Sequence, residues 1–240
     1  MQIVIDVETI PDQDPKAVER IAETLTVKAP SNYNKPDFIR DLKLGDEGKY
    51  KNVAELKELW VQELGESKKT EQATEHWLKT SFDGGRGQII CICIKIVDTG
   101  ECLSFAVSDE VSEKDMLVRF WHDIEVRGKA VFFIAHNAKF DLPFLSKRCV
   151  INRVKPPFNF NPHGRNGSDH YCTSESWAGF GQRISLNNLA AILGEGSKTE
   201  GMDGSQVWPE YQKGNIDKIV SYCVDDVDLT TKVYKRLAYL

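Results

Sequence analysis

The first strand constrains this chain more than any other stretch. Met1-Gln2-Ile3-Val4-Ile5-Asp6-Val7-Glu8-Thr9 is apolar and mostly β-branched around its two acids, which suits a buried strand. Asp6 and Glu8 lie two residues apart, so in a strand both side chains leave from one face. Two carboxylates on a buried strand repel each other and lose hydration, and they are tolerated when positive charge lies between them. A divalent metal with oxygen ligands, Mg²⁺ or Mn²⁺, supplies that charge. The alternative is a strand that ends at Asp6 and leaves Glu8 in solvent.

Pro11 ends this strand, because proline cannot continue a central ladder. Residues 10–86 then read as a mostly helical insertion within one domain spanning 1–240. Asp14 is the expected N-cap of a helix over 15–27, with Pro15 in its first position. Residues 29–51 read as irregular. Two further helices are expected over 53–64 and 70–82, with Val53, Leu56, Trp60, Leu64, Ala73, Trp77 and Leu78 facing inward. The insertion is expected on the main sheet, either as a lid on the cleft or as a solvated appendage.

After the turn cluster at 82–87, Gln88–Val97 and Glu101–Val107 form a hairpin about Asp98-Thr99-Gly100. Ser112–Arg127 is an amphipathic helix with a capping-box pair, Ser112 and Asp115, and Gly128 closes it. Ala130–Ala135 is a short buried strand. His136-Asn137-Ala138-Lys139-Phe140-Asp141 then steps into a helix, with Asn137 at its N-cap and Asp141 facing back across the strand ends. Taken alone, Asp141 is favourable for the helix dipole, and His136 reads as structural.

Residues 152–183 read as loop with one short strand within 170–174, followed by a helix from Ser185 to Leu193 that Gly194 stops. Gly194–Thr199 lacks the order of a nucleotide-binding P-loop and the strand before it. Lys198 remains a candidate phosphate contact. In the final helix, 216–238, Tyr222 and Asp226 are four apart and share a face near the apolar stripe, where a lone carboxylate is costly. Asp225 and Asp228 read as solvated.

Three pieces now stand in order: Asp6-x-Glu8, Asn137-x-x-x-Asp141 and Tyr222-x-x-x-Asp226. Together they resemble the three exonuclease motifs of the DEDD 3′–5′ exonuclease superfamily. That resemblance implies an α/β, ribonuclease H-like fold with a mixed five-stranded sheet flanked by helices. Tyrosine four residues before the last aspartate marks the DEDDy branch; the DEDDh branch has histidine where Ser221 stands. HNAKFDLPFL, SLNNLAAILG and YCVDDVDLTTKVYKRL are similar to stand-alone exonucleases related to the proofreading domain of B-family DNA polymerases. The resemblance covers residues 1–9 and 87–240. Cys172-Thr173 departs from it where relatives commonly carry Asp-Thr, outside the four carboxylates. No polymerase domain is read in the chain, so proofreading within it is not expected.

The resemblance implies a two-metal mechanism, with Asp6, Glu8, Asp141 and Asp226 as ligands of two Mg²⁺ or Mn²⁺ ions. Asp6 would bridge the ions, Glu8 and Asp226 would complete the one that activates water, and Asp141 would act on the other. Tyr222 would orient the water, since an unperturbed phenol has a pKa of about 10. Backbone around Thr9 and Ile10, with Asn137 and Phe140, would hold the terminal nucleotide. The implied substrate is the 3′ end of a single strand, DNA ahead of RNA, with a replication or repair protein as candidate partner. Two other classes compete. One is an idle nucleic-acid-binding module, against which all five site residues are present. The other is a ribonuclease H-like endonuclease, which would lack the Tyr222 motif and accept circular strands.

A net charge of −5 disfavours a tight, non-specific nucleic-acid binder but not a nuclease, whose own acids subtract from the total. The six cysteines have neither CxxC nor Cys/His zinc spacing and read as reduced core residues of a cytoplasmic protein. Neither a signal peptide nor a membrane span is expected.

Overall fold

The computed structural model describes residues 1–128, 131–159, 161–197 and 202–240. It divides into two compact units, Met1–Pro11 with Thr80–Leu240, and Asp12–Lys79. The chain begins in the first unit with β1 (Gln2–Ile10).

Asp12–Lys79 is helical, though not where the sequence signals put every boundary. α1 (Ala17–Thr24) starts late. Asp14 does not cap it; its carboxylate accepts the Lys16 N–H at 2.8 Å and pairs with Arg20, which closes a turn ahead of the helix. α2 (Lys35–Asp41) falls in the stretch expected to be irregular. Asn34 and Asp37 cap it reciprocally, and buried Phe38 anchors it in a cluster with Leu56 and Trp60. α3 (Val53–Leu78) is one helix rather than two. Gly65 costs it about 1 kcal/mol relative to alanine, against a start fixed by the Asn52–Glu55 capping box. Leu56, Trp60 and Ala73 are buried as expected, whereas Val53 and Leu78 are exposed.

In the larger unit the hairpin forms β2 (Gln88–Ile96) and β3 (Cys102–Ala106). Then come α4 (Glu113–Arg127), β4 (Phe132–Ala135), α5 (Ala138–Asn152), β5 (His170–Cys172), α6 (Thr173–Ala178), α7 (Leu186–Leu193), α8 (Val207–Gln212) and α9 (Ile216–Leu237). α6 lies in the stretch expected to be loop; fully buried Thr173 seats it, its hydroxyl 2.9 Å from His136 Nδ1. The strand order is β3-β2-β1-β4-β5. β1–β2 and β2–β3 are antiparallel, and β1–β4 and β4–β5 are parallel. This is the expected ribonuclease H-like mixed five-stranded sheet with flanking helices. No helix among the described residues is long and apolar enough to cross a membrane.

Ile3, Val4 and Ile5 are all buried, so both faces of β1 are covered. On one side α4 packs through Phe120, whose ring meets Phe105 edge-on at 5.6 Å between centroids. The turn into β2 needs Gly87, because a Cβ there would lie 2.6 Å from Thr80 O and 2.8 Å from Ile10 O.

A buried ion pair ties α4 and α5 to β2. Glu113 Oε1 accepts from Ile89 N–H and from Arg148 Nε, both at 2.8 Å. Its Oε2 accepts from Arg148 Nη2 at 2.7 Å and from Asn152 at 2.9 Å. Removing one partner strands the other charge in the interior. Glu113→Ala is therefore expected to destabilise the fold by about 3–5 kcal/mol. Urea denaturation checks this; an unchanged midpoint would mean the pair is dispensable.

Candidate active site

The register of the β1–β2 ladder decides what the site is made of. Asp6 lies opposite Cys93 and Glu8 opposite Cys91. Directly opposed residues in an antiparallel pair share a face. A row of two carboxylates therefore runs beside a row of two thiols. Just beyond Glu8 the register shifts by one residue, the local twist of a β-bulge.

α9 lies across this face of β1 and β2 and adds three side chains to it. Its apolar stripe, Ile219, Cys223, Val227 and Val233, is buried, and Asp226 is buried with it. Cys223 Sγ lies 3.3 Å from Asp6 Oδ2 and 3.5 Å from Asp6 O. Ligand atoms of Asp6, Glu8 and Cys223 all fall within 4.8 Å of one another. Tyr222 stands one turn before Asp226 on this helix, and the Asp226 charge acts on its phenol.

Asp141 arrives from the edge. β4 pairs with β1 only over Gln2–Val4, which leaves the β1 backbone beyond open on that side. Val7 N–H donates to Asp141 Oδ1 there at 3.3 Å. The first turn of α5 thus docks its carboxylate on the β1 backbone at Val7, the residue between Asp6 and Glu8. Asn137 is the N-cap of α5, but its side chain makes no cap hydrogen bond.

The electrostatics are those of buried acids crowded together. Burial, then the charges of Glu8, Asp141 and Asp226, hold the Asp6 pKa well above the carboxylate range, against the Cys223 contact. Burial pushes Asp141 up to about 7, with its backbone hydrogen bonds opposing and Asp226 reinforcing. Tyr222 is raised by burial and by Asp226, Glu8 and Asp6, so its phenol stays protonated at any working pH. Four acids with hard oxygen donors fit a divalent cation of the Mg²⁺ or Mn²⁺ type. Asp141 and Asp226 stand outside the tightest group but close enough for their charges to act on Asp6.

Other sequence expectations resolve less uniformly. Asp228 is not simply solvated, since Lys95 Nζ donates to it at 2.6 Å, and Asp225 is half-buried. Ile10 buries its side chain fully opposite Gln88, so any contact it makes with a nucleotide is through its backbone, as expected from the sequence. The Thr9 hydroxyl donates to Ser81 O at 2.8 Å. Half-buried Phe140 meets Phe82, which is 72% exposed, edge-on at 6.5 Å, a partner that no local pattern signals. Asn137 lines a pocket of about 100 Å³ with Lys139, Gln182 and Arg183. Lys198 lies outside the described residues. His136 is structural, held by Thr173 Oγ1 and Ile184 O. Cys172 packs its thiol 3.3 Å from His136 O.

Residues 75–240 match a family model described as a predicted 3′–5′ exonuclease related to the exonuclease domain of PolB. No curated protein matches the chain.

Proposed function

We propose a specific activity for this chain, which belongs to the family of predicted 3′–5′ exonucleases related to the exonuclease domain of PolB. It is a divalent-metal-dependent exonuclease that removes nucleotides from the 3′ end of single-stranded nucleic acid, DNA in preference to RNA. The observation that carries this reading is the convergence of Asp6, Glu8, Asp141 and Asp226, with Tyr222 in their field. Asp6, Glu8, Asp141 and Asp226 would hold two Mg²⁺ or Mn²⁺ ions. Such ions lower the pKa of a bound water and stabilise the departing 3′ oxygen.

The chain's own groups do the rest. Val7 N–H fixes the Asp141 carboxylate to β1. Tyr222, kept protonated beside the acids, can turn its hydroxyl to a water, so it positions rather than deprotonates. The Phe82–Phe140 pair offers apolar faces on which a terminal base can stack. The backbone around Thr9 and Ile10 and the Asn137 side chain are further candidates for holding that nucleotide.

With Mg²⁺ or Mn²⁺, a 5′-labelled single-stranded DNA is expected to shorten stepwise from its 3′ end, and excess EDTA is expected to stop the reaction. The matching RNA should be cut more slowly and a circular strand not at all. Undiminished cleavage in chelator would remove the metal reading, and cleavage of the circle would make the protein an endonuclease.

A further inference from the structure

Three of the six cysteines are gathered in one place. Cys91 and Cys93 face α9 from β2, and Cys223 meets them from the helix; all three are free and buried. Cys91 Sγ and Cys93 Sγ are 3.6 Å apart, and all three sulfurs lie within 4.8 Å of one another. Cys149 and Cys172 are used differently. Each sits alone in the core, against Trp121 Nε1 and His136 O respectively. A zinc–sulfur bond of about 2.3 Å in a tetrahedron sets the sulfurs about 3.8 Å apart, so small side-chain adjustments would close the trio around an ion. A fourth donor stands beside one of the three, Asp6 Oδ2 at 3.3 Å from Cys223 Sγ, and a turn of its carboxylate toward the trio would complete the set.

The two ligand sets differ in softness. Carboxylates suit Mg²⁺ and Mn²⁺, whereas thiolates select softer ions. We propose that Cys91, Cys93 and Cys223, with a carboxylate oxygen of Asp6, bind one soft divalent cation of the Zn²⁺ or Cd²⁺ class, which thereby withdraws Asp6 from the acidic site. Three thiol protons pass to solvent as three metal–sulfur bonds replace metal–water bonds. The thiols are sealed while Asp6 is only partly buried, so the ion enters past Asp6. Binding does not depend on the proposed nuclease activity; the inhibitory consequence rests on it.

The test titrates Cd²⁺ alone into the metal-free full chain, kept reduced by a phosphine and carrying Cys102→Ser to remove the exposed thiol. A sulfur-to-cadmium charge-transfer band is expected to saturate at one ion per chain and to be lost in the Cys91→Ala/Cys93→Ala double variant. No band in the parent protein overturns the site whatever the variant's fold, and so does an equal band in a folded variant. In the second arm, nuclease turnover in saturating Mg²⁺ should fall as the Cd²⁺ band fills and should resist the same Cd²⁺ in the double variant. Equal inhibition of both proteins, or none in the parent, overturns the sharing of Asp6. If the parent digests no strand at all, the exonuclease reading falls while the band still decides the site.

Discussion

Asp6→Asn is expected to abolish turnover while raising the melting temperature of the metal-free protein. The two effects share one cause. Asp6 is held above the ordinary carboxylate range by burial and by three neighbouring acids, so its charged form is costly in the fold. In the unfolded chain it titrates at about 3.9. The native state therefore binds this proton more tightly. Its stabilising effect is full at low pH and is lost as pH climbs from about 4 through the raised native value. Asp141, pushed up to about 7, adds a loss of the same sign. In chelator the wild-type melting temperature should fall between about pH 5 and pH 8, and the asparagine variant should fall less and end the more stable. Divalent metal should reverse the order, because only the wild type gains strong binding energy in its native state. Turnover should drop by at least ~10³-fold, since losing a metal ligand forfeits several kcal/mol of transition-state stabilisation. A sharply lower melting temperature in the variant would make Asp6 a structural residue.

What the sequence made legible is what local period decides. Strand alternation put Asp6 and Glu8 on one face, helical spacing put Tyr222 beside Asp226, and the β-branched runs marked β1 and β2. What it hid is pairing between distant segments. Cys91-x-Cys93 repeats the spacing of Asp6-x-Glu8, yet only the ladder register sets the two rows side by side under α9. The Lys95–Asp228 pair and the Phe82–Phe140 contact depend on tertiary approach in the same way. The helical misreadings have a different origin. α2 and α6 are short, and the buried seats of Phe38 and Thr173 carry them more than any periodic stripe. Asn34-x-x-Asp37 was nevertheless a readable capping signal. Asp14 misleads because its carboxylate closes a turn with Lys16 and Arg20 instead of capping a helix.

Three single substitutions on α9 separate the roles of adjacent groups. Tyr222→Phe keeps the ring and removes only the hydroxyl, which lies in the field of Asp226, Glu8 and Asp6. The four carboxylates remain, so metal and strand binding should survive while the rate falls by about 10²-fold, the scale of one positioned polar group in a transition state. Asp226→Ala removes a buried carboxylate of the cluster and should cost far more, ~10³-fold or beyond. Asp225→Ala alters the next residue, turned about 100° around the helix and half-buried rather than sealed. It should change the rate little. Single-turnover cleavage of a short labelled strand, with enzyme in excess, removes product release from the comparison. A Tyr222→Phe protein with full activity would leave the hydroxyl without a part in the reaction. An Asp225→Ala protein as impaired as Asp226→Ala would shift the reactive face of α9 by one residue, and the Tyr222–Asp226 pair would lose its assigned role.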